Sequence, residues 1–230
     1  MIILALDTAT EALSVSLAFI DQTGDRQIDR YVELDRGHAE HLLPMVEAVL
    51  AEAGIALTAL DAIAFGRGPG GFTGVRLAAS VAQGLAFGAD VGVVPVSDLA
   101  AVAQRVARLE PGIGEVLVAN DARMREIYWA RYAISPLLIS LQGEEQVGAP
   151  GAVTIPTGLV SWAAAGRGLR AWPDLAQRCR EAGAVLHPDL LPRASEVLEL
   201  ARPLVAAGQL LDATQALPVY VRDRVAEPAV

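Results

Sequence analysis

Asp7, Thr8 and Thr10 follow the apolar run Ile2 to Leu6, so they fall at a strand end where the chain turns. A carboxylate and two hydroxyls there, with turn amides beside them, suit a nucleotide's phosphates and its hydrated metal ion. Asp and Thr are also favoured in a self-capped hairpin turn that binds nothing, and the residues alone leave both readings open. A second candidate is Gly66-Arg67-Gly68-Pro69-Gly70-Gly71-Phe72-Thr73-Gly74-Val75-Arg76, between a short apolar run and a helical pattern. Glycines let backbone approach a ligand, and the first amides of the following helix attract anions. The segment lacks the Gly-Lys-Ser/Thr ending of a Walker loop and does not keep the dinucleotide-binding spacing. A structural role, with Pro69 and the glycines steering a reversal and Gly74, Ala78 and Ala82 giving a small-residue helix face, is the reading the sequence favours.

Other reactive residues point to no site. His38 and His41 are three apart at a helix start, but Glu40 lies about 100° away round the helix, so no metal centre is expected. Cys179 is the single cysteine and has no partner for an intramolecular disulfide, which fits a reducing compartment. Its neighbours Arg178 and Arg180 lie on different helix faces, so a catalytic thiol is not expected. Asp121, Arg123 and Arg125 read as a solvated hairpin, and there is no Gly-x-Ser-x-Gly elbow or Cys-x-x-Cys pair.

These residues must be held by ordered elements. Hydrophobic residues make up 53% of the 230 and charged ones 20%, well outside the disordered regime. The tally of 18 basic against 27 acidic residues, net −9, lacks the basic footprint of a chain that grips nucleic acid by itself. No run reaches the ~18 unbroken apolar residues of a membrane span, and the opening lacks a basic region before its apolar run, so a cytoplasmic chain is expected. Period-two alternation through Ile3–Asp7 and Leu13–Phe19, a turn cluster at 21–25 and an extended run Ile28–Leu34 predict an antiparallel meander. His38–Ala53 carries Leu42, Met45, Val46 and Val49 at helical spacing, and Asp61–Phe65 is a strand entering the glycine segment. Thr73–Phe87 carries Val75, Ala78, Ala79 and Ala82, Val91–Val96 is a strand, and Ser97 caps a helix over 98–109. Strands 116–120 and 126–132 form a hairpin, 142–158 reads as irregular, and helices follow at 172–182 and 194–207. Strands followed by helices thus occur twice, although no repeat is visible in residue identity. An α/β fold of two related lobes with a cleft between them is expected, one spanning 1–100 and the other 101–230, with the last helix free to return to the first lobe.

Three segments together carry a family resemblance: Ile3-Leu4-Ala5-Leu6-Asp7-Thr8-Ala9-Thr10, then Phe65 through Arg76, then Asn120-Asp121-Ala122-Arg123-Met124-Arg125-Glu126-Ile127-Tyr128-Trp129. With Trp172-Pro173-Asp174-Leu175 and the closing Pro218-Val219-Tyr220-Val221-Arg222, the whole chain resembles the TsaB (YeaZ) family, bacterial subunits of the machinery that makes N6-threonylcarbamoyladenosine (t6A) in tRNA. The resemblance implies the two-lobe actin-like ATPase and sugar-kinase fold. It also implies kinship to the catalytic paralogue TsaD, which binds a metal through a His-x-x-x-His pair. The corresponding positions here are Asp98 and Val102, and valine cannot bind a metal. Ala9 stands where active relatives of the wider fold place a glycine, so Asp7, Thr8 and Thr10 are expected to be a vestigial phosphate turn.

The resemblance further implies a non-catalytic subunit with no cofactor on the isolated chain, ATP and metal being used by its partners. Those partners would be TsaD, TsaE and a second copy of the chain, with tRNA met only through the complex. Pairing is expected through His38–Ala53 and Thr73–Phe87, using Leu42, Met45, Val46, Val49, Val75, Ala78, Ala79 and Ala82. On that basis a Glu at Ala78 or Ala82 should break pairing and leave the lobe folded. The alternative of another class is a self-sufficient enzyme of the same fold, a small-molecule kinase or a glycoprotease-like activity.

Overall fold

A computed structural model describes residues 1–21, 24–135 and 138–221. Gln22 and Thr23 of the first turn cluster, and Arg222 at the end of the closing motif, lie outside them. The chain runs β1 (Ile2–Asp7), β2 (Ala12–Asp21), β3 (Gly24–Glu33), α1 (His38–Ala53), β4 (Ala62–Gly66), α2 (Phe72–Ala89), β5 (Gly92–Val96) and α3 (Asp98–Leu109). It continues β6 (Glu115–Arg123), β7 (Glu126–Ile134), β8 (Ile139–Gly148), β9 (Trp162–Ala165), α4 (Gly168–Ala171), α5 (Pro173–Glu181), β10 (Val185–His187) and α6 (Ala194–Ala206).

The strands make two five-stranded mixed sheets, ordered β3-β2-β1-β4-β5 and β10-β9-β6-β7-β8. In the first, β1 pairs antiparallel with β2 and parallel with β4. In the second, β6 pairs antiparallel with β7 and parallel with β9. The topology is therefore duplicated strand for strand, as expected for the two-lobe actin-like fold.

Period-two alternation decides which helix covers which face. Leu4, Leu6, Leu13, Val15, Ile63 and Phe65 turn one face of the first sheet onto α1 and α2, while Ile3, Ala5, Ala64 and Val94 turn the other onto α6. In the second sheet Val116, Val118, Ala163 and Ala165 pack on α3, and Leu117, Ala119, Trp162 and Ala164 pack on α4 and α5. The last helix has thus returned to the first lobe. α3 lies between the lobes: Leu99, Val102, Ala103 and Val106 pack on the second sheet, while Ala101 joins the first-lobe cluster beside α6. Where α3 and α6 meet, Arg108 reaches the buried Glu196 and, at 3.2 Å, Glu199.

Local chemistry sets the ends. α1 starts after Gly37 (φ 95°) and stops at Gly54 (φ 70°), both left-handed positions that favour glycine. The Ser97 hydroxyl accepts from the Ala100 amide and starts α3. The segment expected to be irregular, 142–158, instead begins inside β8, which keeps polar residues because it is a largely solvent-facing edge strand. Among the described residues no helix is long and apolar enough to cross a membrane.

Candidate functional site

The β1–β2 turn bonds partly to itself and partly to the glycine segment. Asp7 Oδ1 accepts from the Ala9 amide at 2.7 Å, Thr10 Oγ1 accepts from the Ala12 amide at 3.2 Å, and Thr8 Oγ1 donates to the Gly74 carbonyl at 2.7 Å. The glycine segment packs on this turn. The Gly71 amide donates to the Ala9 carbonyl at 2.7 Å, a Cβ on Gly70 would stand 2.7 Å from the Ala9 methyl, and one on Gly74 would collide with the Thr8 carbonyl. Close backbone approach is therefore what these glycines permit, in line with the structural reading.

Behind the turn lies a second carboxyl. Asp98, first residue of α3, bonds Gly68 twice: its amide donates to the Gly68 carbonyl at 3.1 Å, and its Oδ2 accepts from the Gly68 amide at 2.5 Å. The same carboxyl lies beside that of Asp7, the two meeting over the Cα of Gly66. Both side chains are fully buried. Gly66 fits against the pair: a Cβ there would stand 2.6 Å from Asp98 Oδ1 and 3.0 Å from Asp7 Cγ. Burial pushes the Asp7 carboxyl above the usual carboxylate range, opposed by its hydrogen bonds. Asp98 is pushed well above it, by burial first and then by the charge of Asp7. Val102, one turn along α3, is buried among Leu99, Val106 and Val116 of the second-lobe core.

In front of the turn a cleft of about 1180 Å³ separates the lobes, lined by residues 8–11, 69–75 and 120–124 and by Arg167; Asp7 is not on its wall. Ion pairs cross its mouth, Arg123 to Glu11 at 3.1 Å and Arg167 to Glu11 at 3.7 Å and to Glu33. Arg123, Met124 and Arg125, at the tip of the β6–β7 hairpin, all hold positive φ (60°, 50° and 62°), a backbone conformation that side chains disfavour. Asp121 accepts from the Arg123 amide at 3.0 Å and pairs with its guanidinium at 3.5 Å, so it serves the hairpin.

The eight side chains expected at a pairing surface are placed otherwise. Leu42, Val46, Val49, Val75, Ala78, Ala79 and Ala82 are at most 2% exposed, and Met45 is half-buried against the same core. They cover the first sheet, whose wide apolar face needs both helices. What α2 turns outward is Thr73, Ser80, Gly84 and Phe87, with Leu77 half-buried among them; α1 exposes Leu43.

The histidines serve the backbone: His38 Nε2 faces the Thr10 carbonyl at 3.0 Å and His41 Nδ1 the Gly37 carbonyl at 2.8 Å, so each of these nitrogens donates. Cys179 is buried, and that burial pushes its thiol up to about 11. A thiol-specific reagent at neutral pH should therefore label the native chain far more slowly than the urea-unfolded chain; equal rates would show an accessible thiolate.

Two structural features escape sequence reasoning. Gly166-Arg167-Gly168 directly follows β9, and Gly66-Arg67-Gly68 starts on the last residue of β4, so one tripeptide repeats at the same strand exit in each lobe. That repeat was visible in the sequence, where identity between the halves is otherwise absent. Glu145, on β8, accepts from Arg67 at 3.1 Å and from the Ser97 hydroxyl, and so links the lobes; no sequence signal marks it.

The family described as TsaD, tRNA N6-adenosine threonylcarbamoyltransferase, matches residues 32–180. The tRNA threonylcarbamoyladenosine biosynthesis protein TsaB of Escherichia coli (strain K12) is 42% identical, across 98% of this chain and 96% of its own. Its namesake from Haemophilus influenzae is 36% identical over 97% and 94%. The chain belongs to the TsaB (YeaZ) family. The solved structure of YeaZ from Pseudomonas aeruginosa superposes with a TM-score of 0.84 at 45% identity, covering 95% of this chain and 99% of that one. The TsaB fold is thus common to both lobes and to nearly the full length.

The resemblance implied a metal-bound nucleotide phosphate at the first turn of active relatives, and the donor set here fits one poorly. One Asp7 oxygen is taken by the Ala9 amide, and the Asp98 carboxyl lies beside the same group. Val102, which the resemblance sets against the second histidine of TsaD, is a core residue.

Proposed function

We propose that this chain is a non-catalytic subunit of a bacterial t6A-synthesis complex, supporting TsaD together with TsaE, pairing also with itself, and meeting tRNA only through the complex. The observation that carries this reading is the sealed Asp7 turn in a chain alike, end to end, to proteins named for threonylcarbamoyladenosine biosynthesis. The hidden aspartate and the core valine support this reading, which assigns the function to the outer surface.

The surface best suited to pairing is the outward stripe of α2, Thr73, Leu77, Ser80, Gly84 and Phe87, spaced alternately by four and three as in packed helix pairs. Phe87 is 79% exposed, and nothing lies within 4 Å of a Cβ built on Gly84, so a partner helix can approach closely.

Reconstitution tests the function. The chain alone should hydrolyse ATP negligibly, and adding it to TsaD, TsaE and the threonylcarbamoyl-adenylate synthase should be required for t6A formation. Full t6A synthesis without it, or brisk ATP turnover by the chain alone, overturns the proposal and favours a self-sufficient enzyme. Gly84→Glu tests the surface. Glutamate is roughly 0.5 kcal/mol better than glycine in a helix interior, so the variant should stay folded by circular dichroism while light scattering shows self-pairing and TsaD binding lost. A folded variant that still forms both complexes would exclude this face.

A further inference from the structure

We propose that Asp7 and Asp98 hold one proton between them at neutral pH, and that this acid–carboxylate pair is a proton-dependent clasp between the end of β1 and the start of α3. The clasp rests on geometry within the chain and is independent of the proposed partners. Asp7 ends β1 and Asp98 follows β5, and these strand ends lie close together in the first sheet, where Leu6 pairs with Phe65 and Gly66 with Val96. The two carboxyls therefore sit where α3 leaves the first sheet, and the two bonds from Asp98 to Gly68 hold the helix start there.

Two ionised carboxylates cannot stay side by side away from water, because neither has a proton to donate and both repel. One buried oxygen on each, Asp7 Oδ2 and Asp98 Oδ1, has no hydrogen-bond donor among the described residues. A single proton satisfies the arrangement: protonated Asp98 donates to Asp7 while its other oxygen keeps the Gly68 amide. The charged groups acting on the pair do not abolish this need. Arg67 acts on Asp98 but is itself paired with Glu145, and His38 acts on Asp7 while its ring faces the Thr10 carbonyl. A divalent ion at Asp7 would have to expel the proton and break the clasp, a physical reason for the poor fit of a metal-bound phosphate.

Linkage fixes the sign. The folded chain binds this proton more tightly than the unfolded chain, whose aspartates titrate near pH ~4. The stability it confers is complete below that pH and falls as pH rises toward the folded pKa of the pair.

Carboxyl-carbon NMR titration of the full chain labelled at aspartate tests the proposal directly, compared with Asp98→Asn. In the wild type one aspartate should remain protonated at pH 7, and the Gly68 amide shift should titrate with the same midpoint. Asp98→Asn, whose amide can donate to Asp7 permanently, should abolish both signals, and its melting temperature should no longer fall between pH 5 and 8 as the wild type's does. If every wild-type aspartate titrates at or below its ordinary range, the proposal fails, and that measurement needs no variant to fold. Should Asp98→Asn not fold, Asp7→Asn offers the reciprocal loss of the signals. Retention of an elevated aspartate in a folded variant of either kind would also overturn the pairing.

Discussion

Ala78→Glu and Ala82→Glu should each unfold the first lobe, with circular dichroism showing loss of structure at 37 °C and no folded monomer by light scattering. The sequence alone suggests the opposite, a folded lobe unable to pair, because an alanine stripe on a helix looks like a seam for another helix. Both alanines are completely buried, however, and their neighbours are Leu4, Leu6, Ile63 and Phe65 of the chain's own sheet. A glutamate there brings four extra heavy atoms, among them an unpaired carboxylate, into a closed core, at a cost of several kcal/mol. Domains of this size hold only about 5–15 kcal/mol in total. A soluble, cooperatively melting Ala82→Glu monomer would show that α2 turns this face outward. Set beside Gly84→Glu, two residues further along the helix, the contrast separates the core face from the outer face in one experiment.

Gly74→Ala should lower stability by about 3 kcal/mol, the upper range for overpacking, although helix propensity alone favours alanine by about 1 kcal/mol. Sterics win because the added methyl would overlap the Thr8 carbonyl, on the turn whose Thr8 hydroxyl already holds the Gly74 carbonyl. α2 and the β1–β2 turn cannot separate without giving up that bond and the Gly71–Ala9 bond. Urea unfolding measures the effect, with Gly84→Ala as the internal comparison, since open space there should let the propensity gain appear. A Gly74→Ala midpoint equal to or above the wild type would mean that the glycine segment does not press on the turn as described.

Much of the fold was legible from residue periodicity. The meander, α1, the strand entering the glycine segment, and α3 with its Ser97 cap all carry local signals strong enough to stand without tertiary help. β9 was not legible, because Trp-Ala-Ala-Ala has little strand propensity and becomes a strand only by being buried between β6 and β10. β8 was obscured by its charge, which an edge position tolerates. Family membership was also readable, since it rests on the order and spacing of short motifs.

The sequence by itself therefore determined the class, the doubled order of elements and the family, all properties of local pattern and chain order. The tertiary structure alone decided which way each apolar stripe faces, because periodicity marks a face as apolar without saying whether a sheet or a partner covers it. It alone also brought Asp98 to Asp7. Ninety-one positions apart in sequence, the two carboxyls meet because β1, β4 and β5 run parallel with their ends in register, so that Asp7 and Asp98 emerge on either side of Gly66. No local signal encodes such a meeting, because only the pairing order of distant strands brings the two chain segments together.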